Sequence, residues 1–169
     1  MTNELSEPPA PEAETPLLLE RFLPYRLSVL SNRISSALAG LYEERFGLSI
    51  PQWRVMAILG RHPGISANAV ARRAAMDKVK VHRAVAGLLA DGRLERRTAV
   101  DDRRRSVLRL SPDGLATYRE IVPVARAYED ALLREFSAAE IEAMDALLNR
   151  LDRMADETGN TLNEQSERG

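Results

Sequence analysis

The chain has no cysteine. Disulfides, cysteine-based zinc sites and thiol catalysis are therefore excluded. It has two histidines, His62 in a His-Pro-Gly turn and His82 further on. Few catalytic constellations can be built from so small a set. There is also no phosphate loop, no paired-histidine metal motif and no nucleophile elbow. An enzyme is the weaker reading, and no metal or cofactor is expected. The acidic pairs Asp101-Asp102 and Glu43-Glu44 read as a turn tip and a solvated helix end. No apolar run approaches the ~20 residues of a membrane span, and nothing resembles a signal peptide. A soluble, cytoplasmic protein with no membrane partner is the expectation.

Positive charge is missing from one end. Met1 to Pro16 holds four prolines and four glutamates but no lysine or arginine. Such a segment has nothing to bury, so residues 1–16 are expected to form a disordered acidic tail. The formal net charge of −1 hides a strong asymmetry. Arg61 to Leu110 carries 13 Lys+Arg against 5 Asp+Glu, and the rest of the chain 11 against 20. For nucleic-acid binding the local basic patch matters more than the total.

That basic block has an ordered pattern. Ser66 can cap a helix over Ala67 to Ala74, rich in Ala and Arg and free of Gly and Pro. Met76 closes it, and Asp77 can cap a second helix from Lys78 to about Ala90. Val81, Ala84, Val85 and Leu88 recur at offsets of 0, 3, 4 and 7, forming one apolar face. Val79, Arg83, Ala86 and Ala90 fall opposite, flanked by Lys80, His82 and Gly87. A small, cationic outer face suits a helix entering the major groove, about 12 Å wide. Arg83 at its centre has the reach and the bidentate fork for a guanine edge or a phosphate.

Asp91-Gly92 ends the helix. Arg93 to Ala99 and Ser106 to Leu110 read as two strands, with Val100 to Arg105 as the turn between them. Helix, turn, helix and hairpin in that order form a DNA-reading module with a wing. Double-stranded DNA is the expected partner. Lys78, Val79, Lys80, His82 and Arg83 are its candidate contacts, with Arg103, Arg104 and Arg105 at the wing tip.

These residues carry a resemblance. MDKVKVHRAVAGLLADGRLER followed by DDRRRSVLRLSPDG resembles the MarR family of winged helix-turn-helix regulators. The matching pieces are Asp77-Lys78, Arg83, Asp91-Gly92-Arg93-Leu94, Asp102-Arg103-Arg104 and Leu110-Ser111-Pro112-Asp113-Gly114. The likeness spans about Leu17 to Met154. It implies a recognition helix in the major groove and a wing arginine in the minor groove, with Asp102 able to pair with an arginine and hold the wing. Val79-Lys80 departs from the family's more usual small hydroxyl residues, so the base preference is not carried over. One branch of the family senses peroxides through a reactive cysteine, and this chain lacks that chemistry.

The flanks read as long helices. Leu17 to Phe46 repeats apolar residues at Leu27, Leu30, Ile34, Leu38 and Leu41, with Pro24 marking either a break or the true start. Gly47 ends it. Ser49 caps the next helix, Gln52 to Arg61. Ser111 caps a helix from Pro112 to about Glu135, with Leu115, Tyr118, Ile121 and Val122 inward and a kink at Pro123. Ser137 to Glu140 fits a capping box for a last helix striped with Ile141, Met144, Leu147, Leu148, Leu151 and Met154. Residues 156–169 are expected to be a flexible tail.

The fold class expected is therefore mainly α with a small β-hairpin wing. It places a winged helix-turn-helix at 48–111 between dimerisation helices at 17–47 and 112–155, in one domain over 17–155. A homodimer follows from the apolar surplus on the terminal helices, and two-fold symmetry matches a pseudo-palindromic site.

The resemblance also implies a repressor released by a small-molecule effector held between the dimer helices and the winged module. Tyr25, Arg26, Ser28, Asn32, Trp53, Met56 and Tyr118 are the candidates to line such a pocket. The run from Pro24 to Asn32 looks like regulators of aromatic-acid degradation, which points to an aromatic acid or an aryl-CoA thioester. The alternatives are a DNA-binding protein that needs no ligand and a helical adaptor that binds protein. The arginines of the reading helix and wing argue against the adaptor.

Overall fold

The computed structural model describes residues 17–98 and 106–166. A short 3-10 turn at Leu19–Arg21 precedes helix α1 at Leu23–Phe46. Then come α2 (Ile50–Arg61), α3 (Ala67–Ala74) and α4 (Lys78–Ala90). Strands β1 (Leu94–Thr98) and β2 (Ser106–Leu110) form an antiparallel pair with Leu94 opposite Leu110 and Thr98 opposite Ser106. Helices α5 (Pro112–Leu133) and α6 (Ala138–Ser166) follow. The mainly helical fold with one hairpin is the one expected.

Local chemistry sets the ends. Pro24 lies in the first turn of α1, where a missing N–H costs nothing, so the helix starts there and the preceding leucines turn separately. Gly47, at φ 62°, takes the left-handed position that closes α1. Ser49 and Gln52 form a reciprocal box at the start of α2, the Gln52 Oε1 accepting from Ser49 N at 2.9 Å. Ser111 Oγ accepts from Gly114 N at 2.9 Å and starts α5.

The core lies beneath α4. Tyr42, Phe46 and Leu48 come down from the end of α1, and Val55, Met56 and Leu59 from α2. Val70 and Ala71 meet Val81, Val85 and Leu88, while Leu94, Leu108 and Ile121 close the far side. Each such aliphatic side chain contributes roughly 1.5–3 kcal/mol on full burial. The hairpin is tied in by the loop after α2, because Leu108 N donates to Ile65 O and Gly64 N to Leu108 O, both at 2.9 Å.

Two expectations need correction. Leu115 is exposed: the inward face of α5 runs through Gly114, Tyr118, Ile121 and Ala125, and Leu115 lies about 100° round from Gly114. Helix α5 runs through Pro123 to Leu133, close to its expected end near Glu135. Helix α6 runs on to Ser166, into the segment expected as a flexible tail; residues 156–166 hold no proline and a single glycine to interrupt it. The stripes on the terminal helices are uncovered. Leu27, Leu30 and Leu41 on α1 are exposed, as are Met144, Leu147, Leu148, Leu151 and Met154 on α6.

Candidate nucleic-acid interface

The turn between α3 and α4 is three residues long and firmly built. Ala75 adopts the left-handed conformation at φ 48°. Its N–H reaches Arg72 O at 3.3 Å, and Met76 N–H reaches Ala71 O at 3.2 Å, which satisfies the last carbonyls of α3. One carboxylate oxygen of Asp77 then accepts from Val79 N at 2.9 Å and Lys80 N at 3.1 Å. Those two bonds cap α4 by satisfying two N–H groups of its first turn.

The helix buries Val81, Ala84, Val85 and Leu88. The opposite face carries Val79 and Arg83, flanked by Lys80 and His82, with Lys78 at the start of the helix, all exposed. Val79 is 56% exposed, an apolar side chain left in water beside the cations. Recesses border this face. Lys80 and Arg83 share one of about 330 Å³ with Ser49, Pro51 and Gln52 at the start of α2. His82 shares another of about 320 Å³ with Ser66, Asn68, Arg96 and Ser106. Helix N-termini carry partial positive charge, so the starts of α2 and α3 add to the lysines and arginines between them.

Asn68, Arg96 and the α2 start were not among the sequence candidates. The period-two alternation of β1 puts Arg96 on the face of buried Leu94, and that was the available signal. On the other face Arg97 pairs with Glu95 at 2.6 Å. Asp102, Arg103, Arg104 and Arg105 lie outside the described residues.

The candidate ligand residues do not gather in one place. Trp53 and Tyr118 line a cavity of about 520 Å³ between α1, α2 and α5. Their rings stack with centroids 6.3 Å apart, and Tyr42 meets Trp53 at 5.1 Å. Met56 is wholly buried in the core and does not line the cavity. Tyr25, Arg26, Ser28 and Asn32 lie on the exposed first half of α1, away from it. The cavity instead takes in Ile34, Leu38, Tyr42, Arg126 and Glu129. Ile34, Leu38 and Tyr42 follow at four-residue steps along α1, a signal the sequence held. Tyr42 is fully buried, its hydroxyl has no partner among the described residues, and burial raises its pKa.

Such a fold, with a cationic helix held out from a compact core and a hairpin beside it, defines a winged helix-turn-helix DNA-binding regulator. The MarR family model matches residues 46–105. A MarR-family transcriptional regulator from Silicibacter pomeroyi is 30% identical, the match covering 79% of this chain and 89% of that one, with a TM-score of 0.68. A MarR/EmrR regulator from Acinetobacter sp. ADP1 has a TM-score of 0.78 at 24% identity, covering 83% of this chain and 99% of that one. A putative transcriptional regulatory protein for the hcr operon of Thauera aromatica is 27% identical over 112 residues, 66% of this chain and 68% of that protein. The chain belongs to the MarR family of transcriptional regulators, which are DNA-binding proteins and not enzymes.

Proposed function

We propose that the protein is a homodimeric repressor that reads a pseudo-palindromic operator and leaves it on binding an aromatic acid or its CoA thioester. The observation that carries this reading is the outer face of α4, which holds Lys80, His82 and Arg83 in water around the exposed Val79, with Lys78 exposed at the start of the helix. In the groove Arg83 would take a base edge or a phosphate, and Val79 a thymine methyl. Lys78 and Lys80 would meet backbone phosphates, which position the helix without specifying sequence. Arg103, Arg104 and Arg105 would extend the contact along the wing.

The dimer rests on the uncovered apolar residues of α1 and α6. Leu147 is 59% exposed and Leu30 53%, within stripes that continue along both helices. A monomer seldom leaves such contiguous apolar surface in water. Light scattering at micromolar concentration without DNA should give the mass of two chains, and a monomer mass would sink the proposal. The domain limits follow from this assembly: 17–47 and 112–155 join the copies, and 48–111 reads DNA.

The effector rests on the cavity. Its volume of about 520 Å³ falls within the range of small-molecule sites. Tyr42, Trp53 and Tyr118 offer stacking faces, and Arg126 offers a cation for a carboxylate. The aryl group of a thioester would enter, leaving its CoA portion outside. The relative from Thauera aromatica, described as regulating one operon, supports an operon-level role. A panel of aromatic acids and aryl-CoA thioesters should contain a compound that both raises the Tm and weakens duplex binding. A ligand must prefer the geometry that does not bind DNA, since equal affinity for both shifts nothing. If no compound changes either quantity, the protein is a DNA-binding regulator without this effector class.

A further inference from the structure

Arg93 stands where four elements meet. It follows α4 and Gly92 and leads into β1. Its carbonyl accepts from Ser111 N at 3.1 Å, and Ser111 Oγ donates to Gly92 O at 2.7 Å, so the start of α5 is tied to the same point. Its guanidinium Nη2 donates to Phe46 O at 2.7 Å, on the last residue of α1. A cation is favoured there by the negative end of the helix dipole.

The guanidinium is only partly used. Nη1 is buried and has no partner among the described residues. Leaving a charged donor buried without an acceptor is unfavourable, so a rearrangement that supplies one is favoured. A helix end leaves four carbonyls without an intrahelical partner. At α1, Gly47 N serves Glu43 O and Arg93 serves Phe46 O. The carbonyls of Glu44 and Arg45 belong to the same helix end. Tyr42, one turn before Phe46, lines the cavity, and its buried hydroxyl also has no partner among the described residues. Among the described residues, one turn of α1 therefore has an unpartnered donor near each end, the Tyr42 hydroxyl on the cavity and Arg93 Nη1 at the root of the wing.

We propose that Arg93 is the positioning residue that couples the cavity between α1, α2 and α5 to the reading helix and the wing. Movement of the 42–46 turn changes the acceptors offered to Arg93, and through it the junction of α4, β1 and α5. Coupling of this kind is reciprocal, so duplex binding at α4 must be felt in the cavity. The inference rests on the reading of α4 as the DNA-binding helix.

Trp53 is the only tryptophan in the chain, and it sits in the cavity wall against Tyr42 and Tyr118. Its emission reports on the cavity without any effector. The full chain is titrated with a duplex selected by the wild-type protein from a random pool, and binding and Trp53 emission are followed together. In the wild type the emission should change in step with binding. Arg93→Met should still bind the duplex but lose the emission change, and Arg93→Lys, which keeps the cation, should restore part of it. A merely structural role would lower the Tm and leave the emission change in place.

An unaltered emission change in Arg93→Met overturns the coupling, and so does a wild type that binds duplex with no change at Trp53. A wild type that binds no duplex overturns the reading of α4, and the coupling falls with it. If Arg93→Met does not fold, hydrogen exchange on the wild type decides. Added duplex should then slow exchange at the Gly47 and Leu48 amides, which close α1, and unchanged exchange there overturns the coupling.

Discussion

A Cβ placed on Gly114 would stand 1.9 Å from the carbonyl oxygen of Arg93. Only a glycine lets the first turn of α5 lie this close to the root of the wing. Gly114→Ala must push backbone against backbone, and should destabilise the protein by about 1–3 kcal/mol, as overpacking does. Gly40 is the control, because nothing lies within 4 Å of a Cβ built there. Gly40→Ala, inside α1, should stabilise by up to about 1 kcal/mol through helix propensity. Urea unfolding of both variants checks the pair, and equal effects would refute the close approach at Gly114.

Ala75 gives the opposite expectation. Its φ of 48° is a left-handed conformation in which a Cβ is strained. Ala75→Gly should leave stability unchanged or raise it by up to about 1 kcal/mol, relief of strain outweighing the added freedom of the unfolded chain. Ala69→Gly, inside the same short helix, should cost about 1 kcal/mol. Thermal unfolding of the two variants separates them, and a loss at Ala75 as large as at Ala69 would show that the turn is not strained.

Much of the reading module was legible in the sequence because its signals are local. The spacing of Val81, Ala84, Val85 and Leu88 gave the buried face of α4, and all four are buried. Asp77, Ser111 and the Ser137 box act as caps where their side chains suggested. The missing pieces depend on contacts distant in sequence. Arg93 reaches Phe46 across 47 positions, and Gly114 is required by the Arg93 carbonyl. Neither leaves a periodic trace. Tyr42 lies on the α1 stripe, yet periodicity cannot tell a stripe facing the chain's own core from one facing a second copy. Here Leu30 is exposed and Tyr42 fully buried on the same helix. Four of the seven residues that the sequence offers for the ligand lie early in α1, at 25–32, whereas the cavity lies beside Ile34, Leu38 and Tyr42.

The start of α6 carries a small pH dependence. Glu140 accepts from Ser137 N at 2.8 Å and from Ser137 Oγ at 2.7 Å, and these bonds, the backbone one foremost, lower its pKa. A carboxylate with a depressed folded-state pKa stabilises the fold above its ordinary range and loses that contribution as pH falls through the lowered value. The first turn of α6 should therefore fray on acidification. Ser137→Ala removes the hydroxyl and should bring the Glu140 pKa back toward the ordinary range, as read by NMR titration of its side chain. An unmoved titration would exclude the serine hydroxyl as a contributor.

The two reading elements should separate under mutation. Arg83 stands on the exposed face of α4, opposite Val81, Ala84, Val85 and Leu88, and so is set to enter the major groove. If it reads a base edge, Arg83→Ala should weaken binding to the selected duplex by roughly 1–3 kcal/mol and relax specificity at that position. Arg103 and Arg104 belong to the segment between β1 and β2, where contact with phosphates or a narrow minor groove is expected. Losing a phosphate contact should weaken all sequences nearly equally and reduce the salt slope by about one unit. A wing arginine that reads groove width should instead matter most on A-tract sites. Affinities for selected and scrambled duplexes at several salt concentrations distinguish these outcomes. Wild-type affinity in Arg83→Ala and in the Arg103→Ala/Arg104→Ala double variant would refute the assignment of both elements.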